Sequence, residues 1–120
     1  MPKVKKKKFN LEEVRRTADH LYQVKLISLK PFSIISGEPT EVIHHFIPKS
    51  RSNALRYDFE NGIPLTNKEH CKHHTSGDPT IVGKIIECNG LAWFNDLQER
   101  RNQITKYNRE YFEEILKKLE

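Results

Sequence analysis

Five of the six histidines in this 120-residue chain fall between positions 44 and 74. Neutral imidazole is the commonest transition-metal ligand and the side chain best matched to proton transfer near neutral pH, so the crowding points to metal-assisted acid–base chemistry. His70 and His74 lie four apart on a stretch that reads as a helix, share one face, and can both touch one ion. His73 also reaches that face. His44 and His45 are adjacent in a strand-like run, so their side chains point to opposite sides. One can ligate while the other acts as a base. His20 has no partner at ligand spacing and reads as an ordinary surface or packing residue, and Cys71 lies about 100° around the helix from His70.

The elements that must position these residues follow from local signals. Asn10 with Glu13 reads as a helix cap, and Leu11, Val14, Ala18 and Leu21 carry a core-packing helix to about Leu26, before Pro31. The apolar run Phe32 to Ile35, the turn at Gly37-Glu38-Pro39 and the run Val42 to Ile47 predict a β-hairpin. After Pro48, a basic loop runs to Tyr57, and a short strand follows over Gly62 to Leu65. Thr66 with Glu69 forms a capping box for a helix from Asn67 to about Thr75. Asp78-Pro79 starts another that ends before Asn89-Gly90. Leu91 to Leu97 is a packed turn or short helix, and Asn108 to Leu119 is a helix with Tyr111, Phe112, Ile115 and Leu119 on one face. The fold class is therefore α+β, with one domain over residues 10–120 and a basic tail over 1–9 that is either solvated or a phosphate-binding arm.

Lys and Arg outnumber Asp and Glu by 21 to 16, giving a net charge of +5, which favours a polyanionic partner, with nucleic acid foremost. Cys71 and Cys88 fit neither a metal knuckle nor a disulfide framework. There is no signal-peptide core and no apolar stretch long enough for a membrane, so a soluble, cytoplasmic protein is expected, with no membrane partner.

Three segments together, Glu41-Val-Ile-His-His-Phe-Ile-Pro, Glu60-Asn-Gly-Ile-Pro-Leu-Thr and His70, resemble the HNH or ββα-metal nuclease family. In that family an acidic or histidine residue followed by histidine ends the first strand, an asparagine opens the second, and a histidine follows nine residues later, as from Asn61 to His70. The resemblance implies a small ββα-metal core over 41–75 with flanking N- and C-terminal helices. With His74 it looks like the colicin-type members, which implies one divalent ion (Mg²⁺, Mn²⁺, Zn²⁺ or Ni²⁺) on His44, His70 and His74, preferred over His73. The same likeness makes His45 the general base, and Asn61 either orients His45 or holds the loop between the strands. The implied reaction is hydrolysis of a DNA phosphodiester. Lys49, Arg51 and Arg56 in the basic loop are either contacts to that DNA or solvated side chains. From Leu55-Arg-Tyr-Asp-Phe-Glu-Asn onward the chain also looks like the phage recombination family called NinG, which implies DNA recombination or processing in a bacterial or phage-infected cell. Positions near Leu65 and Glu69 that often carry zinc-binding cysteines hold Thr66 and Glu69, so stability is expected from packing of the terminal helices around Trp93. The rival expectation is a non-catalytic, zinc-stabilised nucleic-acid-binding module, against which the spare histidine beside His44 argues.

Overall fold

The computed structural model describes residues 8–76 and 79–120, with backbone only for 74–76. Most of the expected tail, and Asp78 of the expected helix start, lie outside these residues. Phe9 lies against the Phe112 ring, with centroids 6.4 Å apart.

The protein is a mixed α+β structure. Its elements run α1 (Leu11–Leu29), β1 (Val42–His45), a 3₁₀ turn (Phe59–Asn61), β2 (Gly62–Leu65), α2 (Asn67–Ser76), α3 (Pro79–Asn89), α4 (Leu91–Arg100) and α5 (Arg109–Lys118). The caps expected at Asn10 and Thr66 act where the sequence places them: Asn10 Oδ1 accepts from Glu13 N at 3.1 Å, and Thr66 and Glu69 close the capping box at 2.8 and 3.2 Å. Asn108, expected as the first residue of the last helix, is its cap, accepting from Tyr111 N at 2.9 Å.

The strand pairing departs from the expected hairpin. β1 pairs antiparallel with β2, not with Phe32 to Ile35, in the register Val42 to Leu65, Ile43 to Pro64, His44 to Ile63 and His45 to Gly62. The ladder continues past both ends, from Glu41 N to the Leu65 carbonyl and from Phe46 N to the Asn61 carbonyl. Phe32 makes only an isolated bridge with Pro39, and Ile34 N donates instead to the Pro64 carbonyl on the far edge of β2. Proline at 39 has no N–H to carry a hairpin ladder forward.

Two faces follow from strand alternation. Ile43 packs on α1 and α5 with Ala18, Tyr22, Leu26, Tyr57, Phe112 and Leu119. On the other face Ile63 and Leu65 pack with Ile81 and Ile85 of α3, with Val42 at their edge. The terminal helices thus close on each other around tyrosines, and not around Trp93. That indole packs on Phe46, centroids 4.8 Å apart, and donates to the Glu60 carbonyl at 2.7 Å. Among the described residues no helix is long and apolar enough to cross a membrane.

Gly62 is where α1 meets the sheet. A Cβ there would come within 2.6 Å of the Tyr22 hydroxyl and 2.9 Å of Ile43 Cγ2, and closer still to Leu26. Gly62→Ala should therefore lower stability by about 1–3 kcal/mol, the usual range for overpacking. A urea midpoint equal to that of the unsubstituted chain would show that α1 yields without cost.

Candidate functional site: two histidines facing two helices

Val42 and Ile43 favour an extended backbone, and adjacent strand residues must project to opposite faces. His44 and His45 accordingly serve different surroundings. The His44 side is buried, at 6% exposure, and turned toward α2. Its ring centroid lies 5.2 Å from that of His70 and 4.9 Å from that of His73. His45 turns toward α1 and stacks on Tyr22, centroids 5.0 Å apart and planes 24° from parallel.

His45 Nε2 lies 2.8 Å from the Arg56 carbonyl oxygen. A carbonyl only accepts, so Nε2 carries the proton and the neutral ring presents its lone pair at Nδ1. Burial drives the pKa of His45 down to about 4; the Arg56 carbonyl acts the other way, and the charges of Lys49 and Arg56 push it further down against a raising influence from Asp19. The ring is neutral at pH 7.

Helix α1 supplies the remaining supports from one face. The Tyr22 hydroxyl donates to the Asp58 carbonyl at 2.8 Å, fixing the ring on which His45 stacks. Gln23 grips the Ile43 backbone twice: its Nε2 donates to the Ile43 carbonyl at 2.9 Å and its Oε1 accepts from Ile43 N at 2.8 Å. Asp19 takes the Arg56 guanidinium bidentately at 2.9 and 2.6 Å. Burial would raise the Asp19 pKa, but the Arg56 fork outweighs it and holds that carboxyl below its ordinary value. Asp19, Tyr22 and Gln23 were not singled out by sequence. Their signal was polar side chains flanking the Ala18, Tyr22 and Leu26 packing stripe at helical spacing.

Asn61 is fully buried and anchors the chain between the strands. Its Oδ1 accepts from Ile47 N at 2.8 Å, and its Nδ2 donates to the carbonyls of Ile47 at 3.0 Å and Leu55 at 3.2 Å. Of the two roles expected for it, loop anchoring is the one seen. It also sets the position of the neighbouring Arg56 carbonyl.

The expected basic contacts divide. Lys49 and Arg51 are exposed, while the Arg56 guanidinium is engaged by Asp19. Lys49 and Arg56 border a cleft of about 620 Å³ that also takes in His44, His45, Gln23 and His70.

The donors suit a borderline divalent ion. Imidazoles sharing one tetrahedral ion at about 2.0–2.1 Å per nitrogen stand about 5 Å apart between ring centres, the spacing of His44 from both His70 and His73. Among the described residues, however, no three His, Cys, Asp or Glu side chains form a ready metal group. His74 lies on α2, and its side chain is outside the described residues. No protein-family model, curated protein or solved structure matches the chain.

Two outcomes test this geometry. The folded pKa of His45 lies below the roughly 6.5 of an unfolded histidine, so its neutral form stabilises the fold fully above pH 6.5, and that contribution is lost as pH falls toward 4. In the metal-free protein, ¹⁵N resonances of His45 should show the Nε2–H tautomer and stay neutral to about pH 4; titration near pH 6.5 would contradict the buried, carbonyl-bound ring. Asn61→Ala strands the Ile47 N–H and two carbonyls, so the unfolding free energy should fall by roughly 3 kcal/mol or more.

Proposed function

We propose that the chain is a metal-dependent DNA endonuclease of the HNH type, with β1, β2 and α2 as its ββα-metal core. The observation that carries this reading is the division of labour on β1, where His45 offers a neutral Nδ1 while His44 faces the imidazoles of α2. A structural metal site has no use for a second, oriented, neutral histidine beside its ligand.

His44, His70 and His74 would hold the ion, with His73 the alternative to His74. When bound, a divalent ion supplies charge neutralisation at the phosphate and the departing 3′ oxygen. His45 takes a proton from the attacking water at Nδ1 while its Nε2–H stays on the Arg56 carbonyl. The water oxygen bonds to phosphorus, the P–O3′ bond breaks, and the 3′ oxygen gains a proton from solvent, leaving a 5′ phosphate. A pKa near 4 keeps His45 neutral at pH 7 and its Nδ1 free to take the water's proton. Tyr22, Asp19 and Arg56 act through His45 and its acceptor, so they are positioning residues. Lys49 on the cleft and exposed Arg51 would serve as contacts to phosphate oxygens. The net charge of +5 agrees with a polyanionic substrate.

The test is plasmid DNA incubated with the purified chain and Mg²⁺, Mn²⁺, Zn²⁺ or Ni²⁺, with EDTA and His45→Ala controls. Metal-dependent nicking should fall about 10²- to 10⁴-fold in His45→Ala, the range for loss of a general base. Cleavage that survives the substitution removes His45 from the mechanism. Metal binding without cleavage of duplex, nicked, branched or single-stranded DNA would leave the non-catalytic zinc module standing.

A further inference from the structure

We propose that Asn53 is a positioning residue: it clasps the basic loop to the segment between α4 and α5, and so holds Lys49 and Arg51 where DNA phosphates reach them. The choice of DNA rests on the nuclease reading above, while the clasp rests on separate bonds. Segment 101–108 forms no helix or strand of its own. Thr105 within it pairs with Asn53 through both of its backbone groups. Asn53 Nδ2 donates to the Thr105 carbonyl at 2.7 Å, and Asn53 Oδ1 accepts from Thr105 N at 3.3 Å. Two residues on, the Tyr107 hydroxyl donates to the Asn53 carbonyl at 2.5 Å. Tyr107 is itself set by α5, its ring stacked on Tyr111 with centroids 5.1 Å apart and planes 13° from parallel.

The same device recurs along the path of the chain past the histidines. A carboxamide offers a donor and an acceptor side by side, so it can meet the N–H and the carbonyl of one residue together. Gln23 does this to Ile43 and Asn61 does it to Ile47, and those two grips fix β1 and its exit. Asn53 does it to Thr105, but from an exposed position and between residues 52 places apart in the sequence. Its bonds bury little, so what they contribute is the place of the loop.

Between the grips of Asn61 and Asn53 lies the basic turn. Arg51 N and Ser52 N both donate to the Pro48 carbonyl, at 2.9 and 3.2 Å, which folds 48–52 into one tight turn carrying Lys49 and Arg51. Pro48, Lys49 and Ser50 of that turn border the histidine cleft. Its first end is held in the interior, where Asn61 grips Ile47. At its other end Ser52 is buried, with Oγ accepting from Leu55 N at 3.3 Å, and the next residue is the clasp. A turn already fixed on both sides loses little freedom when a ligand arrives, whereas a loose one must be ordered at the expense of affinity. Contacts from such a turn to phosphate set the register of DNA and carry no base information.

The experiment measures the affinity of the full chain for a labelled duplex oligonucleotide in EDTA at one salt concentration. Asn53→Ala and Tyr107→Phe are each made alone and in a Lys49→Gln/Arg51→Gln background. Asn53→Ala should weaken binding roughly tenfold, and Tyr107→Phe, which keeps the ring stack, by a smaller factor. Neither should weaken it much further once Lys49 and Arg51 are replaced, because a clasp that acts through those two side chains is not additive with their loss. With metal present, KM should rise while kcat stays within about twofold. Equal losses in both backgrounds, unchanged affinity, or no duplex binding by the unsubstituted chain overturns the proposal. If Asn53→Ala does not fold, the Tyr107→Phe pair decides by the same comparison. Clasp-dependent binding by a chain that cuts no DNA with any metal defeats the nuclease and spares the clasp. Metal-dependent cutting with unchanged affinity in both clasp variants does the reverse.

Discussion

The buried amide of Asn61 is the constraint on which the site depends. With three side-chain hydrogen bonds and a backbone carbonyl that accepts from Phe46 N, it fixes both ends of the segment that leaves β1 and returns to β2. Leu55, one of its partners, precedes Arg56, whose carbonyl accepts the hydrogen bond from His45 Nε2–H. The strand pairing, the loop path and the tautomer of His45 are thus consequences of one satisfied polar group in a dry interior. Such groups specify structure because the alternative, an unpaired buried amide, is so costly.

Around that anchor the protein places its two imidazoles by the simplest rule available, the two-residue period of a strand. Each then meets a different helix. The face toward α1 is rigid, with a stacked tyrosine, a glutamine holding the strand backbone as a third strand would, and an Asp–Arg pair behind the acceptor. The face toward α2 brings His44 to the imidazoles of His70 and His73. One residue step on the backbone therefore separates a surrounding that keeps a ring neutral and fixed from one rich in metal-ligating nitrogen.

Much of this was legible in the sequence where the governing interaction is local. The caps at Asn10 and Thr66 depend on residues three apart, and the divergence of His44 from His45 depends on neighbours. The position of Asn61 was legible through its spacing from His70. What escaped was decided at long range. Phe32 to Ile35, followed by a glycine turn, imitates a hairpin arm, yet the true partner of β1 lies beyond a loop of more than a dozen residues, chosen by burial on both faces. The support of His45 by α1 escaped for the same reason: Asp19, Tyr22 and Gln23 acquire meaning only when the helix crosses β1, some twenty residues further along the chain. Arg56 reads as a loop cation until Asp19 is seen beside it.

Trp93 is the only tryptophan in the chain, and it sits against Phe46 with its N–H on the Glu60 carbonyl, next to Asn61. Its emission is consequently an internal, label-free gauge of the segment that carries the His45 acceptor. Loosening of that segment would wet the indole and shift its fluorescence to the red, so opening and closing beside the histidine cleft are readable in the unmodified protein at optical speed.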